Sequence, residues 1–314
     1  MYVKLLILLF FKHVSPLIHG RTVNSSDPRV RHFTTAFFRV NGTTSTYLCQ
    51  GHFVNLTFLI TTARCGHKIL EPNDDGGAVF ISGYGFDLNK IGKPEEILKF
   101  NNPVKKVIFN PKFYDFDPIN DVAFVVMHRS IVQCQITDTF HPILIMTSDH
   151  FKQMSRDYYL LGHDEFRRES KCFIRSWGKD EENEFNMKLR EIPVHLLETT
   201  DHYILLESEI TEDDGFVCWG DIGGAVYCEI EEVIYIYSLV SFSDDIVKRS
   251  EKDCKKLKTS KMPFLYSKNN RHFIDSLFYN HSSDLDFFYN ECDTKYKSRL
   301  KKHKLSWLYS RGKN

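Results

Sequence analysis

Apolar positions in this chain fall in short runs separated by polar turns. From residue 33 onward the runs read TAFFRV, STYLCQGHFV, TFLITTA, GAVFISGYG, VKKVIF, DVAFVVM, PILIM, YYLLG, KCFIRSW, HYILLE and VIYIYSLVSF. They are rich in β-branched and aromatic residues, and few reach the length of a helix. Strands of this length with turn signals between them, and no intervening amphipathic helices, predict an all-β domain, either a sandwich or closed barrels. Gly83-Tyr84-Gly85 reads as a turn within that series. One segment has another rhythm. In 271–279, RHFIDSLFY, the residues Phe273, Ile274, Leu277 and Phe278 recur at helical spacing and predict a short closing helix.

The two ends break the pattern in different ways. Residues 1–20, MYVKLLILLFFKHVSPLIHG, set Lys4 before a near-continuous apolar stretch from Leu5 to Phe11, followed by polar residues and Gly20. That is the architecture of a secretory signal peptide cleaved near Gly20. The stretch is far short of the roughly 20 apolar residues a membrane span needs, and no later segment qualifies, so no membrane span is expected. Residues 21–32 form an N-terminal segment, 33–280 the strand-rich domain, and 281–314 a tail that is acidic and aromatic first and basic afterwards. The basic part is either a solvated extension or a surface for polyanions, because clustered positive charge gives salt-sensitive affinity.

Composition narrows the function classes. The 314 residues are 42% hydrophobic, 14% aromatic and 26% charged, which excludes a disordered, collagenous or coiled-coil chain. Lys+Arg and Asp+Glu are 41 each, so the whole-chain field gives no reason to expect nucleic acid as a partner. The eight cysteines, Cys49, Cys65, Cys134, Cys172, Cys218, Cys228, Cys254 and Cys292, are widely scattered without the short paired spacings of a zinc site, so disulfides are expected. Glycosylation triplets begin at Asn24, Asn41, Asn55 and Asn280. They matter only in a chain that enters the secretory pathway, and they agree with the leader. His52, His67, His163 and His195 show no ligand spacing and read as packed or surface histidines. The acidic runs 180–182 and 212–214 read as loop charge, with calcium binding as the alternative, and no phosphate-cradling glycine loop is present. No metal and no cofactor are expected.

Three separated blocks carry the chemistry. They are Cys49-Gln-Gly-His-Phe-Val with Phe58-Leu-Ile-Thr-Thr-Ala-Arg64-Cys65, then Asn120-Asp121-Val-Ala-Phe-Val-Val-Met, then Cys218-Trp-Gly-Asp221-Ile222-Gly223-Gly224-Ala-Val-Tyr-Cys228. In order and spacing they resemble the His, Asp and Ser blocks of trypsin-like serine proteases. Val107-Ile-Phe-Asn-Pro111-Lys-Phe-Tyr114, Cys172-Phe-Ile-Arg-Ser-Trp177-Gly178 and Leu239-Val-Ser241-Phe resemble further stretches of that family. The resemblance implies two packed antiparallel β-barrels with the short C-terminal helix. It also implies the bridges Cys49–Cys65, Cys172–Cys228 and Cys218–Cys254. Cys134 and Cys292 are left over, as an intramolecular pair, free thiols or an intermolecular link.

The departures from the family decide the chemistry. Where the family has its histidine, this chain has Arg64, a permanently protonated donor that cannot accept a proton from a hydroxyl. Where the family has its serine, it has Ile222, which has no lone pair to attack a carbonyl. Asp121 alone of the triad is retained, and an Arg64–Asp121 ion pair is expected, because an unpaired buried carboxylate is costly. The backbone N–H groups of Gly220 and Ile222 correspond to the oxyanion hole. Phe216, Ser241 and Ser243 fall at specificity-pocket positions, with no acid to select Lys or Arg. Asp221 is present, but 21–33 holds no tetrapeptide of the type that forms the family's activating N-terminus. Another cation at Asp221 or a zymogen-like arrangement is expected instead.

The resemblance and its departures together imply a secreted, catalytically inactive homologue. It would act by binding an extracellular protein or glycan, in one version by regulating active proteases. The alternative is residual or relocated serine endopeptidase activity with Ser241 recruited as nucleophile.

Overall fold

The computed structural model describes residues 21–23, 34–54, 57–72, 77–82, 97, 103–115, 117–128, 144–145, 171–177, 189–199, 203–208, 217, 219–230, 233–241 and 259–280. After β1 (Arg21–Thr22), six strands form the first sheet: β2 (Thr34–Asn41), β3 (Thr44–Phe53), β4 (Phe58–Thr61), β5 (Ala78–Ser82), β6 (Val104–Phe109) and β7 (Ala123–Met127). Their order is β5-β2-β3-β4-β7-β6, and a Phe80–Pro103 bridge closes the sheet on itself. The second sheet takes β8 (Leu144–Ile145), β9 (Lys171–Ser176), β10 (Arg190–Thr199), β11 (Tyr203–Ser208), β12 (Ala225–Ile230), β13 (Val233–Leu239) and β14 (Thr259–Pro263). Its order is β14-β11-β10-β9-β12-β13-β8, with β1 added against β10. A Ser238–Phe264 bridge joins β13 to the residue that follows β14. The architecture is all-β in two antiparallel sheets, the one parallel pairing among the described strands being β8 on β13.

Burial on both strand faces explains why several runs are continuously apolar rather than alternating. On β2, Phe37 enters the main core while its neighbour Phe38 enters a second cluster with Val23, Trp177 and Leu189. The main core spans both sheets, combining Phe53, Leu59 and Phe124 of the first with Ile174, Tyr227 and Ile236 of the second. Val23 is buried in the second cluster and its amide donates to the Leu189 carbonyl at 3.0 Å, so the start of the 21–32 segment is built into the second sheet.

Two helices are described. The closing one, α2, covers Lys268–Asn280 and contains the expected 271–279. It starts earlier because Ser267 caps it, accepting from the Asn270 amide at 3.2 Å. Phe273, Ile274 and Leu277 are buried, and Phe273 meets Phe124 edge-on at 5.7 Å, which holds the helix against the first sheet. The other, α1 over Ala63–Leu70, is not announced by the hydrophobic pattern. Its start is set by Thr62, whose side chain accepts from the Cys65 amide at 3.1 Å, and by the Cys49–Cys65 bridge to β3. No helix among the described residues is long and apolar enough to cross a membrane.

Candidate functional site

Arg64 sits in the first turn of α1, 8% exposed, and faces Asp121, which has no exposed surface. Asp121 ends a 3-10 turn over Pro118–Asn120 that Asp117 caps through the Ile119 amide at 2.9 Å. One oxygen of the Asp121 carboxylate accepts the Arg64 backbone N–H at 2.9 Å. The other accepts Arg64 Nη1 at 2.7 Å and the Ser241 hydroxyl at 2.5 Å. Nη1 also donates to Ser241 Oγ at 3.1 Å, so cation, carboxylate and hydroxyl close a ring of contacts. Nη2 donates to the Asp115 carbonyl, and the guanidinium lies 5.6 Å from the centre of the Phe113 ring. Arg64 therefore ties α1 to the loop leading into Asp121. Burial raises the Asp121 carboxyl above the usual range, against the Arg64 charge and the Ser241 and Arg64 hydrogen bonds, which lower it.

Ile222 follows a 3-10 turn over Trp219–Asp221 and is 2% exposed, as part of the main core. Its carbonyl accepts from the Gln50 amide at 3.3 Å, and the next amide, of Gly223, donates to the Val240 carbonyl at 3.0 Å. Gln50 follows Cys49, which is bridged to Cys65 beside Arg64, and Val240 precedes Ser241. The three blocks thus meet where the two sheets join. Gly223 has φ +83°, and a side-chain carbon there would sit 2.3 Å from the Gln50 carbonyl oxygen, so this turn requires glycine.

Residues to which the sequence assigned no role hold that turn. Tyr47 donates to the Gly220 carbonyl at 2.7 Å, and Gln50 Nε2 reaches the same carbonyl at 3.3 Å. Gln50 Nε2 also donates to Ser176 Oγ at 2.5 Å, and its Oε1 accepts the Trp177 amide at 3.0 Å. Ser176 donates onward to Asp221, which is 2% exposed. Burial raises the Tyr47 phenol well above its ordinary value, and the Asp221 charge adds to this while Gln50 opposes it. The signal for Gln50 was its place beside Cys49; Tyr47 and Ser176 are ordinary strand residues.

His52 is fully buried. Its Nε2 donates to the Gly223 carbonyl at 2.8 Å and its Nδ1 accepts from the Tyr227 hydroxyl at 2.7 Å. Burial lowers its pKa to about 4, against the Gly223 hydrogen bond. It is a neutral strut under the Ile222 turn. His67 is exposed and stacks on Phe109 at 4.6 Å.

The structure forms Cys49–Cys65 and Cys172–Cys228, the latter between residues directly opposed on β9 and β12. Phe216, Ser243, Cys134, Cys218, Cys254, Cys292, His163, Asn24, Asn55, the leader 1–20 and the tail 281–314 lie outside the described residues. Among the described residues, no three His, Cys, Asp or Glu side chains group as a metal site.

Residues 23–251 match the family model described as Trypsin. Two curated relatives are similar. The urokinase-type plasminogen activator of Gallus gallus is 21% identical over 227 residues, which cover 66% of this chain and 48% of the relative. Complement factor I of Mus musculus is 26% identical over 208 residues, 63% of this chain and 30% of the relative. The chain spans about half or less of the length of these relatives.

Proposed function

Because this chain belongs to the trypsin family, we propose that it is a secreted family member that has given up peptide hydrolysis and acts by binding an extracellular protein or glycan. The observation that carries this reading is the Arg64 guanidinium, held by Asp121 at 2.7 Å in the block where the family places its general base. A guanidinium in that place has no lone pair for a proton. Ile222 supports the same reading, since its side chain offers no nucleophile. Ser241 counts against relocated chemistry. Its hydroxyl is fully buried and already donates to Asp121, so it faces a carboxylate and a cation rather than an open cleft.

The remaining capacity is recognition, which loops on a rigid double sheet are suited to provide. The leader motif and the disulfides support an extracellular setting. The test exposes purified full-length protein to a broad fluorogenic peptide library and to a covalent probe for activated serines. No turnover above buffer and no labelling are expected. Saturable turnover lost on Ser241→Ala, or labelling at any serine, defeats the reading. Arg64→His alone is expected to restore nothing, because Ile222 still supplies no attacking oxygen; turnover in that variant would equally overturn it.

A further inference from the structure

Of the four Asn-X-Ser/Thr triplets, one lies wholly within the described residues. Asn24 and Asn55 lie outside the described residues, and the triplet of Asn280 starts on the last residue of α2 and continues outside them. Asn41-Gly42-Thr43 is described completely and forms the tip of the β2–β3 hairpin. Asn41 stands opposite Thr44, leaving Gly42 and Thr43 as the two turn residues. Gly42 has φ +56°, the left-handed conformation that two-residue hairpin turns require. The Thr44 hydroxyl donates to the Asn41 carbonyl at 2.9 Å and fixes the turn. Asn41, Gly42, Thr43 and Thr44 are all exposed, and nothing lies within 4 Å of the place where a Gly42 side chain would begin.

The tip is also remote along β3 from Gln50, whose amide meets the Ile222 carbonyl. At about 3.4 Å per residue, Gln50 lies roughly 20 Å along β3 from Thr44. A large polar group on Asn41 therefore displaces no core residue and leaves the Arg64–Asp121 region untouched.

We infer that Asn41 carries an N-linked oligosaccharide. In the transfer, the Asn41 side-chain nitrogen forms a bond to the anomeric carbon of a lipid-pyrophosphate-linked oligosaccharide. The bond from that carbon to the pyrophosphate oxygen breaks, lipid pyrophosphate leaves with the electron pair, and one amide proton is released. Thr43 supplies the hydroxyl the acceptor triplet requires. Donor and transferase belong to the secretory compartment, so the inference rests on the secretion reading above.

The test separates the two claims. The full chain is produced in a glycosylating eukaryotic cell, once with its own residues 1–20 and once behind a heterologous secretion leader. Secreted protein is treated with peptide N-glycosidase F in heavy-oxygen water and mapped by mass spectrometry. Residue 41 is expected as heavy-oxygen-labelled Asp. Asn41→Gln and Thr43→Ala are each expected to lose one glycan step on a gel, Thr43→Ser to retain it, and all three to keep the parent's thermal midpoint. Unmodified Asn41 in protein exported by the heterologous leader overturns the assignment. Occupied Asn41 behind that leader, with no export by the native one, upholds the site and overturns the secretion reading.

Discussion

Asp121 has no exposed surface and accepts three hydrogen bonds, two from Arg64 and one from Ser241. Replacing Arg64 by Met keeps the bulk and the backbone N–H but removes the cation, which leaves a buried carboxylate uncompensated. A loss of about 3–5 kcal/mol in urea unfolding is expected for Arg64→Met, and a smaller loss when Asp121→Asn accompanies it. His52 makes a second prediction at this scale. Its folded pKa of about 4 lies below the ordinary 6.5 because of burial. Above pH 6.5 neither state is protonated there, so its contribution is constant. As pH falls from 6.5 towards 4 the unfolded chain binds a proton that the folded chain refuses, and stability declines by up to about 3 kcal/mol. Melting temperatures between pH 7 and pH 4.5 should fall, and His52→Gln, which keeps a donor and an acceptor, should flatten the slope. The raised Asp121 carboxyl acts with the opposite sign, since acid relieves the cost of its buried charge. Comparing the two proteins at each pH cancels that shared contribution.

Elements bring these residues together, and α2 is the clasp. Asn270 donates to the carbonyls of Ile119 and Phe264, each at 2.9 Å, and accepts from Asn110 at 2.8 Å. It thereby fastens the helix to the turn that presents Asp121. Asn270→Ala should cost about 2–3 kcal/mol, read as a lower urea midpoint, because it strands buried polar partners. Strands such as β2, β3, β7 and β13 were legible in the sequence because β-branched and aromatic residues mark them directly, whereas β1, β10, β12 and β14 fall outside the apolar runs; α2 was legible because its apolar residues recur at helical spacing. Helix α1 was not, because a cap and a disulfide set it rather than any apolar period. The blocks around Arg64, Asp121 and Ile222 were legible because their chemistry depends on residue identity. The Tyr47–Gln50–Ser176–Asp221 network was not: Asp221 stood out for its place before Ile222, but the residues that reach it and the Gly220 carbonyl are ordinary polar residues whose partners lie 45 to 173 residues away. The same limit applied to Ser241, which was readable as a specificity-pocket position but not as a donor to Asp121.

At the scale of the whole molecule, neutrality hides segregation. Basic and acidic residues number 41 each, yet eight of the basic ones fall in 295–314, where no acidic residue occurs, so residues 1–294 carry a net charge of −8. A polyanion meeting the domain surface is repelled on average, while one meeting the tail is attracted, and attraction of this kind weakens as salt shortens the screening length. Binding to a sulfated glycan by this chain is therefore expected to reside in the tail and to be steeply salt-dependent. Chromatography on immobilised heparin compares the full chain with a chain ending at Asp293. The full chain should be retained at low ionic strength and released as salt rises, and the shortened one should pass through unretained, since the charge that remains has the sign that heparin repels. Equal retention of the two would move the site onto the domain, where the net charge opposes it and a local cluster of exposed Lys and Arg would have to overcome the surrounding field.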